Sequence, residues 1–377
     1  MYAWELRKLG DIGKVKSGVG FPNSEQGGKT GIPFFKVSDM NRLGNELINA
    51  DNYVTEEQVE HKKWKVIDEV PAIIFAKVGA AIMLNRKRIA KYKFLMDNNV
   101  MAYSFSNCWD TYFGKSLFET IFLPKYAQVG ALPSYNSSDI ESINVRLPGL
   151  QEQEKIGTIF KHLDSLITLH QRELDNYKTL KKTMLSKMFP KNDEKYPEIR
   201  FTGFADAWEL RRADKIFKTI SDKGHPNLTV LSASQEYGMI PRNDVGVDIK
   251  YDRKNTANYK RVKPEQFVIH LRSFQGGFAW SEIEGITSPA YTVLDYKETG
   301  KHSFDFWKEV LTSPNFIKRL ESVTYGIRDG RSISFSDFST LKFSSPEVCE
   351  QQKIGTIFKH LDSLITLHQR RAIKGLI

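Results

Sequence analysis

Apolar residues fall at helical spacing over one long stretch of this chain. Ile156, Ile159, Phe160, Leu163, Leu166, Ile167, Leu174, Tyr177, Leu180, Met184 and Met188 follow the a, d and e positions of a heptad. His170 interrupts the stripe at an a position. Glu152 and Glu154 open the stretch and Lys181, Lys182 and Lys187 close it, placements that suit the helix dipole. Phe189-Pro190 ends it, because proline disfavours helical backbone in the residue before it. The pattern predicts one helix of about 35 residues, roughly 50 Å long.

Residues 155–172 read KIGTIFKHLDSLITLHQR, and the same eighteen residues return as 353–370. The offset of 198 also aligns Ser134 with Ser332, Asp139 with Asp337 and Pro148 with Pro346. A period this long, repeated once, is not a solenoid. It describes two copies of one unit, each a variable body followed by a fixed tail. A lone helix does not stabilise such a stripe: each buried apolar side chain contributes roughly 1.5–3 kcal/mol, while every ordered residue costs roughly 1–2 kcal/mol. The second stripe, Ile354, Ile357, Phe358, Leu361, Leu364 and Ile365, is the expected partner of Ile156, Ile159, Phe160, Leu163, Leu166 and Ile167. Antiparallel pairing would make the units pseudo-two-fold mates. Lys161, Asp164 and Ser165 recur as Lys359, Asp362 and Ser363, so the polar face repeats too and points to a shared external partner.

The bodies read as mixed helix and strand. In the first, residues 33–37, 72–78 and 100–105 are strand candidates, 109–122 a helix candidate, and Ile143, Val145 and Leu147 alternate into Pro148. In the second, residues 229–233, 266–271 and 290–294 resemble those three strands, and Leu341 and Phe343 match Ile143 and Val145. Ala3-Trp4-Glu5-Leu6-Arg7 and Ala207-Trp208-Glu209-Leu210-Arg211 mark the two starts. The layout is body one at 1–148, a long helix at 149–190, a charged linker at 191–204, body two at 205–346 and a second helix at 347–377. The second tail leaves the repeat after Arg370, so residues 177–188 are expected to lack part of their partner.

Length allows two or three domains, and 40% hydrophobic content is enough for real cores. A net charge of +10 favours a polyanionic partner. Cys108 and Cys349 lie far apart with no metal-ligand spacing, which suggests a reducing, cytoplasmic compartment. No apolar run is long enough to span a bilayer.

Catalytic motifs do not emerge. Gly28-Lys29-Thr30 ends like a phosphate-binding loop, but Asn23 stands where its first glycine is needed. Gly18-Val19-Gly20 reads as a turn, and Asp248-Ile249-Lys250 with Asp244 as a solvated loop rather than a nuclease metal site. His162 and His170 lack the spacing of a helical zinc pair. What does emerge is a set of basic and amide side chains at polar loops, with an aromatic among them. In body one these are Lys36, Arg86, Lys87, Arg88, Lys91, Tyr92 and Asn136. In body two they are Arg242, Asn243, Arg253, Lys254, Arg272, Gln275, Arg328 and Arg331. Arg and Lys contact phosphates or guanine edges, and Asn or Gln pairs with adenine.

The tails carry a family resemblance. Pro148 with Glu152-Gln153-Glu154-Lys155-Ile156-Gly157, its second pass Pro346 with Glu350-Gln351-Gln352-Lys353-Ile354-Gly355, and the twin Trp-Glu-Leu-Arg starts resemble the specificity subunit of type I restriction–modification enzymes. Gly330-Arg331-Ser332-Ile333-Ser334-Phe335 looks like that family's end of a target-recognition domain. The resemblance implies an α+β chain: two similar mixed α/β target-recognition domains separated by a pair of long antiparallel helices. Each body would read one half of a split site on double-stranded DNA. The helices would space the bodies and dock two methyltransferase subunits, and restriction/translocase subunits would complete the complex. No cofactor or metal is expected in this chain; S-adenosylmethionine, ATP and Mg would belong to the partners. The rival readings are a stand-alone DNA nuclease or modifying enzyme, and a coiled-coil scaffold with no DNA role.

Overall fold

A computed structural model gives the fold. It describes residues 4–374 except 42–43, 45, 129–131, 192–193, 235, 246–252, 271–276 and 321–333; side chains of 245, 253–255 and 371–374 are also not described. The chain forms two compact units, Met1–Arg172 with Arg370–Ile377, and Glu173–Gln369.

Unit one runs β1 (Glu5–Lys8), α1 (Leu9–Ile12), β2 (Gly13–Ser17), β3 (Ile32–Phe35), β4 (Asn52–Val54), α2 (Glu56–Lys62), β5 (Ala72–Ala76), β6 (Lys87–Ala90), β7 (Leu95–Met96), β8 (Val100–Phe105), α3 (Thr111–Thr120), α4 (Ser137–Glu141) and β9 (Asn144–Leu147) into α5 (Leu150–Lys187). Its main sheet has the order β2-β8-β5-β6, all antiparallel. β5, Ala-Ile-Ile-Phe-Ala, is central and wholly buried, which explains its unbroken apolar run. β9 alternates, with Val145 and Leu147 inward, and pairs with β1. Tyr103, Trp109, Phe113 and Phe118 form the core beneath α3.

Unit two continues with β10 (Glu209–Arg212), α6 (Ala213–Ile216), β11 (Phe217–Ile220), β12 (Leu231–Ser234), β13 (Gly238–Pro241), β14 (Lys260–Val262), β15 (Phe267–Ile269), β16 (Phe278–Trp280), β17 (Gly285–Thr287), β18 (Thr292–Tyr296), α7 (Phe304–Thr312), α8 (Pro314–Leu320), α9 (Phe335–Thr340), β19 (Lys342–Ser345) and α10 (Val348–Lys374). Its main sheet, β11-β18-β15-β16, has the order of unit one strand for strand, and β10–β19 repeats β1–β9. The strands expected at 72–78, 100–105, 266–271 and 290–294 are thus β5, β8, β15 and β18.

Each long helix is seated on its body in the same way. Gln153 Nε2 donates to Pro148 O at 3.0 Å, and Gln153 Oε1 accepts from Asp110 N at the start of α3. Gln351 repeats this with Pro346 O at 2.8 Å and Ser303 N at the start of α7. One turn on, Gly157 and Gly355 let the helix close on that start: a Cβ would lie 2.7 Å from Phe113 N or 2.8 Å from Phe306 N. These contacts explain why Gln-x-x-x-Gly stands in both tails.

The helix pairing differs from expectation. Within unit two, the end of α5 runs antiparallel to α10, with Tyr177 beside His368, Lys181 on Asp362, and Phe189, just past α5, beside Phe358. Met184, Leu185 and Met188 share a core with Ile354, Phe358 and Leu361, with Ile357 at its margin. Leu364 and Ile365 are half-buried. Residues 177–188 therefore have their partner. In the first stripe, Ile159, Phe160, Leu163 and Leu166 are exposed, and Ile156 and Ile167 are half-buried.

Candidate nucleic-acid interface

In unit one, loops converge at the end of β5. Gly79, at φ +81°, takes a backbone conformation that favours glycine, and its N–H reaches Pro133 O at 2.9 Å. Tyr135 N donates to Lys77 O at 3.1 Å, and Val78 bridges Ser134. Buried Tyr135 anchors this junction, leaving the adjacent Asn136 exposed at the start of α4, where its N–H donates to Asp139 Oδ2 at 2.7 Å. Asn85 ties the next turn to α3's exit: its Nδ2 donates to Ile121 O at 3.3 Å and its Oδ1 accepts from Leu123 N at 3.1 Å.

The basic run beside this turn is split by strand alternation. Arg86 is exposed and donates to Asn41. Lys87, at the start of edge strand β6, is only 1% exposed and donates to Ile121 O at 2.8 Å. Burial pushes its pKa down to about 8, against the pull of Glu119. The expectation of Lys87 as a DNA contact is therefore corrected: alternate strand residues face opposite sides, and Lys87 faces in. Arg88 is half-buried, donates to Lys87 O at 2.8 Å, and has its pKa lowered by burial. Lys91 sits 2.6 Å from Glu46 and 4.6 Å over the Tyr112 ring, while Lys36 donates to Gln26 at 3.0 Å. Both serve internal contacts first. Tyr92 is exposed.

Sequence reasoning passed over Met83, Leu84, Phe122 and Lys125, all exposed around the Asn85 clamp. Their signal was apolar residues in a short turn bounded by Gly79 and basic side chains.

In unit two, Arg242 Nε donates to Ser232 Oγ at 3.1 Å and Asn243 is exposed on the turn after β13. Arg253 and Lys254 lie on a short 3-10 turn, but their side chains are outside those described. Arg272, Gln275, Arg328 and Arg331 lie outside the described residues. Their flanks are placed. His270 N donates to Gly277 O at 3.0 Å, closing the neck of the β15–β16 hairpin. Residues 271–276 thus connect the same two strand positions as 77–86 in unit one, and 321–333 precede α9 as 121–136 precede α4.

No helix among the described residues is long and apolar enough to cross a membrane. Residues 1–177 match the family model for the Type I restriction modification DNA specificity domain. The putative type I restriction enzyme MjaX specificity subunit of Methanocaldococcus jannaschii is 22% identical over 391 residues, covering 97% of this chain and 88% of that protein. The type I restriction enzyme MjaIX specificity subunit of the same organism is 26% identical over 191 residues, covering 49% of this chain and 43% of its own. The crystal structure of the type I restriction–modification system S subunit from M. genitalium shares the fold, with a TM-score of 0.66 at 12% identity over 99% of this chain and 93% of that one. The first copy thus matches the specificity-domain model, the chain is similar along its length to a type I specificity subunit, and it shares the fold of a solved S subunit.

Proposed function

We propose that each body reads one half of a split site on double-stranded DNA. The observation that carries this is one sheet order used twice, with different polar loops at equivalent strand ends. A scaffold kept constant while its loops vary is the arrangement expected of two readers with separate targets. Arg86, Tyr92, Asn136 and Asn243 are exposed for the task, and the net charge of +10 suits a polyanion. Arg272, Gln275, Arg328 and Arg331 fall in the corresponding sequence segments of body two. The long helices space the readers and dock two methyltransferase subunits, with restriction/translocase subunits completing a cytoplasmic complex. In this reading the chain is non-catalytic, and S-adenosylmethionine, ATP and Mg are used by the partners.

The test exchanges residues 205–346 for the second body of another family member and maps methylated sites with the same partner subunits. One half of the target changes and the other stays. A change in both halves overturns the two-reader proposal, and DNA turnover by the purified chain alone favours the enzyme.

A further inference from the structure

The two helix seats share a geometry but not the residue beside it. Ser303, whose amide holds Gln351 Oε1 at 3.1 Å, follows His302. Asp110, whose amide holds Gln153, follows Trp109. In unit one the Trp109 ring lies 5.1 Å from Phe105, and its Nε1 donates to Ile12 O at 2.8 Å. In unit two the His302 ring stacks on Tyr296 at 5.2 Å and stands edge-on to Trp307 at 6.0 Å. Tyr296 is the strand equivalent of Phe105, since each pairs with the first residue of β11 or β2. The same ring bracket therefore holds an indole in one copy and an imidazole in the other. Only the imidazole can take up a proton near neutral pH.

The surroundings of His302 favour its neutral form. Its Nδ1 is buried with no hydrogen-bond partner among the described residues. Burial holds its pKa below the ordinary value, Arg211 of β10 and the adjacent Lys301 push the same way, and Glu298, which is paired with Lys301, opposes them. On the far side of the stack, Glu265, Asp295 and Asp305 act on Tyr296, but burial pushes that hydroxyl well up, so it stays neutral. Asp305 also holds Lys359 of α10 at 3.3 Å. The seat is more enclosed in unit two: Trp208 beside Phe306 is 3% exposed, whereas Trp4 beside Phe113 is 37% exposed.

We propose that His302 is a proton-operated latch on the seat of α10: charging its ring in mild acid frees the start of α7 from Gln351, while the seat at Gln153 does not respond. An imidazolium carries a donor on both nitrogens, and a buried donor without an acceptor is costly. The charged ring gains by turning out to water. Ser303 is the next residue, so that movement draws its amide off Gln351. The sign follows from linkage. Folded His302 binds its proton less readily than the unfolded chain does, so its contribution is complete above about pH 6.5 and is lost as pH falls through the folded value. The latch stands apart from DNA reading and holds or fails without it.

The test is hydrogen exchange by mass spectrometry on the full chain, the parent against His302→Phe at equal pH, between about pH 7.5 and about pH 5.5. Phenylalanine keeps a ring in the stack and takes no proton; His302→Gln, neutral but not aromatic, is the second variant. In acid the parent should lose protection relative to both variants over residues 303–308 and 348–355. Each pH unit between the folded and unfolded midpoints is worth about tenfold in local opening. Residues 110–115 and 150–157 should exchange alike in parent and variants. Histidine-selective NMR of the parent should show one imidazole, missing from both variants, titrating below about 6.5. A midpoint at or above that value overturns the latch, as does acid exchange that is the same with and without His302. A loss spread equally over β15 and β18 overturns it too, because the effect then belongs to the core of the unit and not to the seat.

Discussion

Lys181 Nζ lies 2.7 Å from Asp362 Oδ1 and 3.0 Å from Glu309 Oε2, so one ammonium ties α5 to both α10 and α7. Burial pushes the Glu309 carboxyl up, against the pull of Lys181. Burial also opposes the charge of Lys181, but Glu309 and Asp362 outweigh it and hold its pKa above the ordinary value.

Lys181→Met leaves a buried carboxylate without its cation and should cost about 3 kcal/mol. The sign with pH follows from linkage. Folded Glu309 keeps its proton to higher pH than the unfolded chain does, so its contribution falls as pH rises through the raised pKa. Lys181 contributes fully at neutral pH and loses that contribution only as pH rises through its own raised pKa. Without Lys181, protonating Glu309 relieves the unpaired charge, so the variant's deficit should be smaller at about pH 5 than at about pH 7. Urea unfolding at both values checks this; an equal deficit would remove Glu309 from the account.

Gly157→Ala should destabilise by about 1–3 kcal/mol, because the new Cβ would lie 2.0 Å from Asp110 Oδ1 and 2.7 Å from Phe113 N. Gly355→Ala should act similarly through Phe306 N. Unchanged unfolding midpoints would mean the helices are not seated this closely.

Arg86→Ala should weaken DNA binding and reduce the slope of log affinity against log salt by about 0.9, one phosphate contact. Lys87→Met should leave that slope alone and lower the melting temperature instead, because Lys87 Nζ is committed to Ile121 O. A salt slope that responds to Lys87 rather than Arg86 would reverse the assignment.

Trp208→Ala should cost about 3–5 kcal/mol, whereas Trp4→Ala should cost about 1 kcal/mol or less in the chain alone. Calorimetry of the two variants measures the asymmetry between copies directly. Equal losses would show that Trp4 is covered in solution.

The repeat made much of the fold readable. Trp4 and Trp208, and Pro148 and Pro346, aligned the two copies, and the apolar run of β5 marked a central strand. Lys87 misled because a charge run in a strand alternates sides, and charge counting has no sense of side. The helix stripes misled differently. Composition says that Phe160 and Phe358 want cover, but only register says which residues cover which. Gln153 and Gly157 looked like mere motif letters, since their partners are backbone atoms that no side-chain pattern reveals. Among the candidate contacts, charge alone does not show the internal hydrogen bonds that occupy Lys36 and Lys91.

The seats of Gln153 and Gln351 grip main-chain atoms: the first amide of a body helix, at Asp110 or Ser303, and the carbonyl of Pro148 or Pro346. A fitting made to the backbone asks little of the side chains around it. A body rewritten elsewhere can keep this seat, provided one helix offers its leading amide there and the side chains that tie it to the shaft, such as Lys115 or Glu309, are kept. For chimera builders this locates the cut. It belongs at the proline before each long helix, and the residue opening α3 or α7 must travel with the body it starts.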